Sequence, residues 1–179
     1  QANSIIKAVG AGTTVLTATF PSGKVEEFTF TVEDTIVEDI ARSEYPNISA
    51  EANTEEPTGE PAGSGVASAI TDGDSNTYWH SNWNGAGFNV TESNPAIITV
   101  DLGTTLTIGG FKFQQRPTGG NNGMVHVYSY RILDAEGNVL ASGDKVEVPT
   151  ANRTSSAWTV QKLDENVKAR FIELTILEG

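Results

Sequence analysis

The chain has 179 residues, no cysteine and a formal net charge of −12. The absence of cysteine excludes disulfides, thiolate metal sites and thiol catalysis. The negative charge disfavours nucleic acid and anionic lipid as partners, because both carry negative charge themselves. No apolar run approaches the roughly 20 residues of a membrane-spanning helix, so we expect no membrane insertion, and no signal peptide is visible at Gln1.

Residues 13–33, TTVLTATFPSGKVEEFTFTVE, predict a β-hairpin. Two alternating strands flank a turn at residues 21–23, which read Pro-Ser-Gly. This stretch resembles the closing half of a bacterial immunoglobulin-like repeat of the Big2 type. Two strands are too few for an independent sandwich. We therefore expect a partial Ig-like fragment at 1–34 and a connector at 35–42.

The rest of the chain, after a loop at 55–66, predicts an all-β domain. Glycine and asparagine turns separate short alternating segments, and helical periodicity is nearly absent. Such regular punctuation is typical of an antiparallel β-sandwich. The predicted strands are 96–103, 107–116, 125–135, 138–143, 158–163 and 167–177.

The stretch DGDSNTYWHSNW, residues 72–83, is the densest cluster of polar and aromatic side chains. Its first odd positions match an EF-hand loop, but the match fails at Thr77, where glycine is required, and at Trp83, where glutamate is required. Two interpretations remain for Asp72, Asp74 and Thr77. They are hard oxygen donors for a cation, or they form an Asx turn that binds nothing.

Histidine and arginine side chains mark a second candidate site. Strand alternation places His80 on the face opposite Trp79, while Arg116 closes an apolar strand and precedes the glycine-rich loop PTGGNNG. The guanidinium is therefore presented at a loop mouth. The residues alone favour the ordinary interpretation, a surface or satisfied core histidine and a solvated arginine, over a ligand site.

Four segments in order resemble one family: ASAITDGDSNTYWHSNW, AIITVDLG, FKFQQRPTGGNNGMVHVYSYRI and VKARFIELTIL. They are similar to the coagulation factor V/VIII C-type, or discoidin-like, family and within it to carbohydrate-binding module family 32. The resemblance implies an eight-stranded jelly-roll-like sandwich at 43–179, galactose-binding-like in fold, with a structural calcium ion near one end and a sugar site in the loops.

The resemblance also assigns roles to residues of this chain. The implied sugar-binding residues are His80, Trp83, Arg116 and one of Asn121 and Asn122. The implied calcium ligands are the Ala69 carbonyl, Asp72, Asp74 and Thr77. The family pattern continues into a final strand whose glutamate completes the calcium site. We therefore expect a domain that lacks this strand and binds calcium less tightly.

Non-catalytic recognition of galactose- or N-acetylgalactosamine-terminated glycans is the expected function. The module is expected to be a monomer that serves as an appendage of a larger multidomain protein, secreted or on the bacterial cell surface. An enzyme is disfavoured because Asp72 and Asp74 lie in one turn and not across a cleft, and His126 lies mid-strand. The alternatives are a discoidin-type module that binds protein or phospholipid, and a spacer without a ligand.

Overall fold

The computed structural model describes residues 12–32, 47–120 and 122–179. The chain divides into two compact units, Gln1–Asp39 and Ile40–Gly179. The predicted connector at 35–42 and the domain boundaries on either side of it lie outside the described residues, so they stay predictions.

The first unit contains the predicted hairpin, formed by β1 (Gly12–Thr19) and β2 (Val25–Val32). The strands are antiparallel, with Leu16 opposite Phe28. Because side chains alternate between faces, Leu16, Phe28 and Phe30 share one face, whereas Thr13 and Thr31, whose hydroxyls are 3.2 Å apart, lie on the other. The hairpin prediction is confirmed, and the Ig-like origin of this unit stays a prediction.

The second unit is built on one five-stranded sheet. Its strands run in the order β3-β4-β7-β5-β6, and every neighbouring pair is antiparallel. Short 3-10 turns at Ala67–Ile70 and Thr150–Asn152 complete the described elements. The all-β prediction is therefore confirmed. The strands are β3 (Ser49–Ala52), β4 (Ala96–Gln114), β5 (Val127–Leu133), β6 (Val139–Glu147) and β7 (Trp158–Glu178).

Two long strands replace four of the predicted short ones. The predicted strands 96–103 and 107–116 both fall in β4, which ends two residues earlier than predicted, at Gln114, and 158–163 and 167–177 are both within β7. The two long strands pair from Ala96 opposite Ile176 to Gln114 opposite Trp158, with register shifts between 101 and 106 and between 108 and 110. The chain bends at these irregularities without leaving the ladder, which is what β-bulges do.

Aromatic contacts show that the second half of β4 packs against β5, although β7 separates the two strands in the order of the sheet. Phe113, in the second half of β4, meets Tyr128 of β5 edge to face with ring centroids 5.4 Å apart. Phe111 meets Tyr130 in the same way at 5.3 Å. The two halves of the sheet therefore enclose the main core, as in a sandwich. Its buried members are Leu102, Ile108, Tyr128, Tyr130, Ile132, Val148, Ala169 and Ile172.

A smaller core cluster connects the sheet to the loops that precede β4. Its buried residues are Ala96, Ile98 and Ile176, and Trp79 packs against them. The Trp79 indole N–H donates to the Thr54 carbonyl at 2.8 Å. Trp79 therefore anchors the 72–83 stretch to the sheet. His80 and Trp83 come shortly after this anchored residue in the chain.

We expect Gly110→Ala to lower the free energy of unfolding by about 1–3 kcal/mol. A Cβ atom at position 110 would lie 2.3 Å from the Gln161 carbonyl oxygen and 3.1 Å from the Lys162 Cα, both backbone atoms of the paired strand. Urea unfolding checks this. Thr107→Ala, an exposed change in the same strand, is the control and should change stability by less than about 0.5 kcal/mol. Equal stability of the two variants would contradict the account of the bulge.

Candidate functional site

The structure brings together His80, Trp83 and Arg116. The His80 and Trp83 rings meet edge to face, with centroids 6.3 Å apart and an interplanar angle of 68°. His80 and Arg116 converge on Gly123, where a Cβ atom would lie 2.9 Å from His80 Nε2 and 3.1 Å from Arg116 Nη1. Gly123 has a φ of 67°, a conformation that glycine adopts without strain. Any larger residue there would therefore meet both side chains.

The Arg116 guanidinium stacks on an aromatic ring. Its central carbon lies 4.9 Å from the centroid of Tyr78, a residue that is only 8% exposed. Arg116 Nε is buried and has no hydrogen-bond partner among the described residues. Buried polar atoms are nearly always paired in folded proteins, so this unpaired donor is an unusual feature of the site.

Gln115 fixes the base of the loop that carries Arg116. Its side-chain amide donates to the Val125 carbonyl at 2.9 Å, and its side-chain oxygen accepts the Val125 N–H at 3.0 Å. Gln115 is 3% exposed. This two-way bond closes the loop 116–124 at its ends, and Arg116 therefore projects from a constrained position.

The two candidate asparagines have different standing. The backbone N–H of Asn122 donates to the Gly119 carbonyl at 3.1 Å, within the loop that Arg116 opens. Asn121 lies outside the described residues. The choice between the two side chains as a ligand stays a prediction.

Glu60 joins the site and was missed by the sequence analysis. Its carboxylate accepts the Trp83 indole N–H at 2.9 Å and the Tyr78 hydroxyl at 2.6 Å. Burial alone would raise the pKa of Glu60, but these two hydrogen bonds and the charges of His80 and Arg116 lower it below its usual value. Glu60 lies in a Gly- and Pro-rich loop, where no periodicity indicates which side chain turns inward.

Glu56 is a buried carboxylate beneath the same loops, with 0% of its side chain exposed. One oxygen accepts the N–H groups of Thr58 and Gly59, and the other accepts the N–H of Asn84. Burial would raise the pKa of Glu56, but the hydrogen bonds from Asn84, Gly59 and Thr58 outweigh it and lower the pKa from 4.5 to about 2. Glu56 therefore stays ionised and tied to two loops.

The predicted calcium turn is internally hydrogen-bonded. Asp72 accepts the Asp74 N–H at 2.8 Å through one oxygen and the Thr77 hydroxyl at 2.6 Å through the other. Asp74 accepts the backbone and side-chain N–H groups of Asn76 at 2.9 and 2.8 Å, which lowers its pKa. Ala69 is buried in the 3-10 turn just before.

The oxygen donors of this turn are partly brought together. The Thr77 hydroxyl lies 2.6 Å from Asp72 Oδ2 and 2.9 Å from the Asp74 carbonyl. Within residues 12–32, 47–120 and 122–179, no three His, Cys, Asp or Glu side chains cluster as a metal site. The turn offers two carboxylates, a hydroxyl and main-chain oxygens, which are the kind of oxygen ligands that calcium takes. The same groups also form hydrogen bonds with one another when no ion is bound.

Comparison with known proteins identifies the larger unit. Residues 49–179 match the family model of the F5/8 type C domain. No curated protein sequence matches the chain significantly. Among the described parts of the chain, no helix is long and apolar enough to span a membrane.

Several solved structures are similar. CpGH89CBM32-5 from Clostridium perfringens, in complex with GalNAc-β-1,3-galactose, is 28% identical with a TM-score of 0.57, covering 75% of this chain and 87% of that one. The family 32 module of NanJ from C. perfringens, in complex with galactose, is 24% identical with a TM-score of 0.56, covering 75% of this chain and 85% of that one. The C-terminal domain of a chitobiase from Bacteroides fragilis is 24% identical with a TM-score of 0.60, covering 75% and 84%.

Acidification should destabilise the domain through Glu56. Its pKa is depressed on folding, so its contribution to stability is complete above pH 4.5 and is lost as the pH falls towards 2. We expect the melting temperature of the parent to fall across this window, and that of Glu56→Gln to start lower and fall less steeply. Scanning calorimetry at successive pH values checks this, and parallel pH profiles of the two proteins would contradict it.

Proposed function

The chain belongs to the F5/8 type C domain family through residues 49–179, and we propose that it is a carbohydrate-binding module for galacto-configured sugars. Its structural neighbours are modules of carbohydrate-binding family 32. The proposed ligands are glycans that end in galactose or N-acetylgalactosamine. The proposed contacts are His80, Trp83, Arg116 and one of Asn121 and Asn122.

The convergence of His80 and Arg116 beside an exposed tryptophan is the observation that carries the proposal. Vicinal sugar hydroxyls both donate and accept hydrogen bonds, and a guanidinium fork next to an imidazole can pair with two neighbouring hydroxyls at once. Trp83 is 46% exposed, so a face of its indole is open to the apolar C–H surface of a pyranose ring.

Galacto-configuration is supported by one neighbour in particular. CpGH89CBM32-5, at 28% identity, was solved with GalNAc-β-1,3-galactose. In galactose the O4 hydroxyl is axial and lies beside O3, so one guanidinium can reach both.

We further propose that the module has no catalytic activity of its own. F5/8 type C and family 32 modules are non-catalytic binding modules. Glycoside hydrolysis requires two carboxyl groups that flank the scissile bond. Here the carboxylates of Glu56 and Glu60 are both occupied by hydrogen bonds to protein groups, and Asp72 and Asp74 serve one turn.

The proposed context is an appendage of a larger exported protein. Family 32 modules are typically extracellular appendages of secreted enzymes. A monomeric module next to an Ig-like unit, on a bacterial secreted or cell-surface protein, fits this pattern. Its role would be to hold the parent protein on a glycan surface.

Calcium is proposed as a structural ion of the 69–77 turn. The supporting observation is the approach of three hard oxygens, from the Asp72 carboxylate, the Thr77 hydroxyl and the Asp74 main chain. The Asp74 carboxylate and the Ala69 carbonyl are the remaining proposed ligands. The ion would brace the strand segment that leads from Thr77 to His80, and the chain residues would only need to exchange their mutual hydrogen bonds for bonds to the ion.

Arg116→Ala should abolish measurable sugar binding. The parent is expected to bind galactose and N-acetylgalactosamine near a millimolar Kd, about 4 kcal/mol, because an open site leaves much of the ligand solvated. Arg131→Ala is the matched control, since Arg131 pairs with Glu173 on the sheet. Calorimetric titration measures both. The proposal fails if the parent shows no response to about 50 mM sugar, or if Arg116→Ala binds as the parent does.

Millimolar calcium should raise the melting temperature of the parent by a few degrees. With a Kd of about 0.1 mM, 1 mM calcium contributes about 1.4 kcal/mol to stability. Asp72→Ala should lose this shift. Asp134→Ala should keep it, because Asp134 accepts the same kind of local N–H bonds in the β5–β6 turn without a proposed ion. Identical melting curves for the parent in calcium, magnesium and chelator would show that the turn is only an Asx turn.

A further inference from the structure

We infer that Glu56 is the positioning residue of the proposed sugar site, fixing through its own hydrogen bonds the backbone on both sides of Trp83 and behind His80. This role rests on the proposed function. Glu56 is 0% exposed, so it has no surface for a ligand to contact and acts through the residues that it holds.

The first oxygen of the Glu56 carboxylate organises the loop that leads to Glu60. It accepts the Gly59 N–H at 2.8 Å, the Thr58 N–H at 3.3 Å and the Thr58 hydroxyl at 3.1 Å. Glu60 is the next residue, and its carboxylate accepts the Trp83 indole N–H. The orientation of the Trp83 ring therefore depends on where Glu56 holds this loop.

The second oxygen holds the chain directly after Trp83. It accepts the Asn84 N–H at 2.9 Å and the Gly85 N–H at 3.4 Å. The two loops also touch, because a Cβ atom on Gly59 would lie 3.1 Å from Cζ2 of Trp83. The Glu56 carboxylate therefore holds both the backbone that follows Trp83 and the loop at Gly59, against which the Trp83 indole packs.

The main chain of Glu56 fixes His80. Its N–H is shared between the carbonyls of His80 and Gly65, at 3.0 Å each. Gly65 is required at this crossing, since a Cβ atom there would lie 1.8 Å from the Glu56 carbonyl oxygen. The side chain of Glu56 therefore fixes the position of Trp83, and its main chain fixes the position of His80. Glu56 thereby determines the distance between the two rings.

Only an ionised carboxylate suits this position. Among the described residues, each hydrogen-bond partner of the Glu56 carboxylate is an N–H or O–H donor, and a carboxylate is an acceptor on both oxygens. Glutamine has nearly the same shape, but its NH₂ group would face N–H donors on one side. The N–H groups of that loop would then have no acceptor.

The test compares Glu56→Gln with two controls in the full chain, by NMR titration with galactose. We expect Glu56→Gln to weaken galactose binding by about tenfold or more. Glu55→Gln keeps a side-chain oxygen that can accept the Ala67 N–H, and Ile132→Val is a core change of stability alone, so both should bind within about twofold of the parent. If Glu56 had a merely structural role, the Glu56→Gln protein would melt at a lower temperature but would bind galactose with the affinity of the controls.

A measurement without sugar separates this role from the proposed function. In the free protein, Glu56→Gln should move the Trp83 indole N–H resonance and accelerate amide exchange at Gly59 and Asn84, whereas Glu55→Gln should not. If the parent binds no galactose, the sugar proposal fails while these shifts still test the positioning role. Thr58→Val, an exposed change that removes one bond to Glu56, tests it in a milder form if Glu56→Gln does not fold. Unmoved Trp83 and unchanged exchange in a folded Glu56→Gln or Thr58→Val protein would overturn the inference.

Discussion

The buried Glu56 carboxylate is the interaction on which the candidate site depends most. Loops have no strand partner for their N–H groups, and a buried N–H without an acceptor is costly. Glu56 accepts such groups from two loops that are separated along the chain. A charged acceptor is favoured here because its hydrogen bonds to N–H groups are stronger than neutral ones.

The two residues before Glu56 extend the same arrangement. Thr54 accepts the Trp79 indole through its carbonyl and the Asn82 N–H through its hydroxyl. Glu55 accepts the Ala67 N–H at the start of the 3-10 turn that precedes the candidate calcium turn. Three consecutive residues following β3 therefore organise both the aromatic side of the site and the turn beneath it. The sheet contributes the rigid edge from which they start.

Sequence reasoning found the strands more readily than their limits. Alternation and turn residues indicated an all-β chain, but the predicted break between two strands after Gly103 is a register shift inside β4 in the structure. Glycine permits either outcome, and the choice depends on the paired strand, which the sequence does not reveal. Similarly, the hairpin was predictable because its partners are adjacent along the chain.

The candidate site was predictable only in its outward-facing part. His80, Trp83 and Arg116 came from the resemblance to a family, since the residues alone were equally those of ordinary surface and core positions. Glu56 and Glu60 act across many residues of sequence, for example from Glu56 to Asn84, and nothing in local composition encodes such contacts. The calcium turn shows the same limit, because its donors serve equally an ion and an Asx turn.

The most direct test of the account is a galactose titration of the ¹⁵N-labelled protein that follows the three tryptophan indole N–H resonances. Each indole has a distinct environment: Trp83 donates to Glu60, Trp79 donates to the Thr54 carbonyl, and Trp158 lies beneath Lys112 on the sheet. The account predicts that the Trp83 resonance moves in a saturable way while those of Trp79 and Trp158 stay in place. Saturable movement of Trp158 with Trp83 unchanged, or no movement of any of the three, would contradict it.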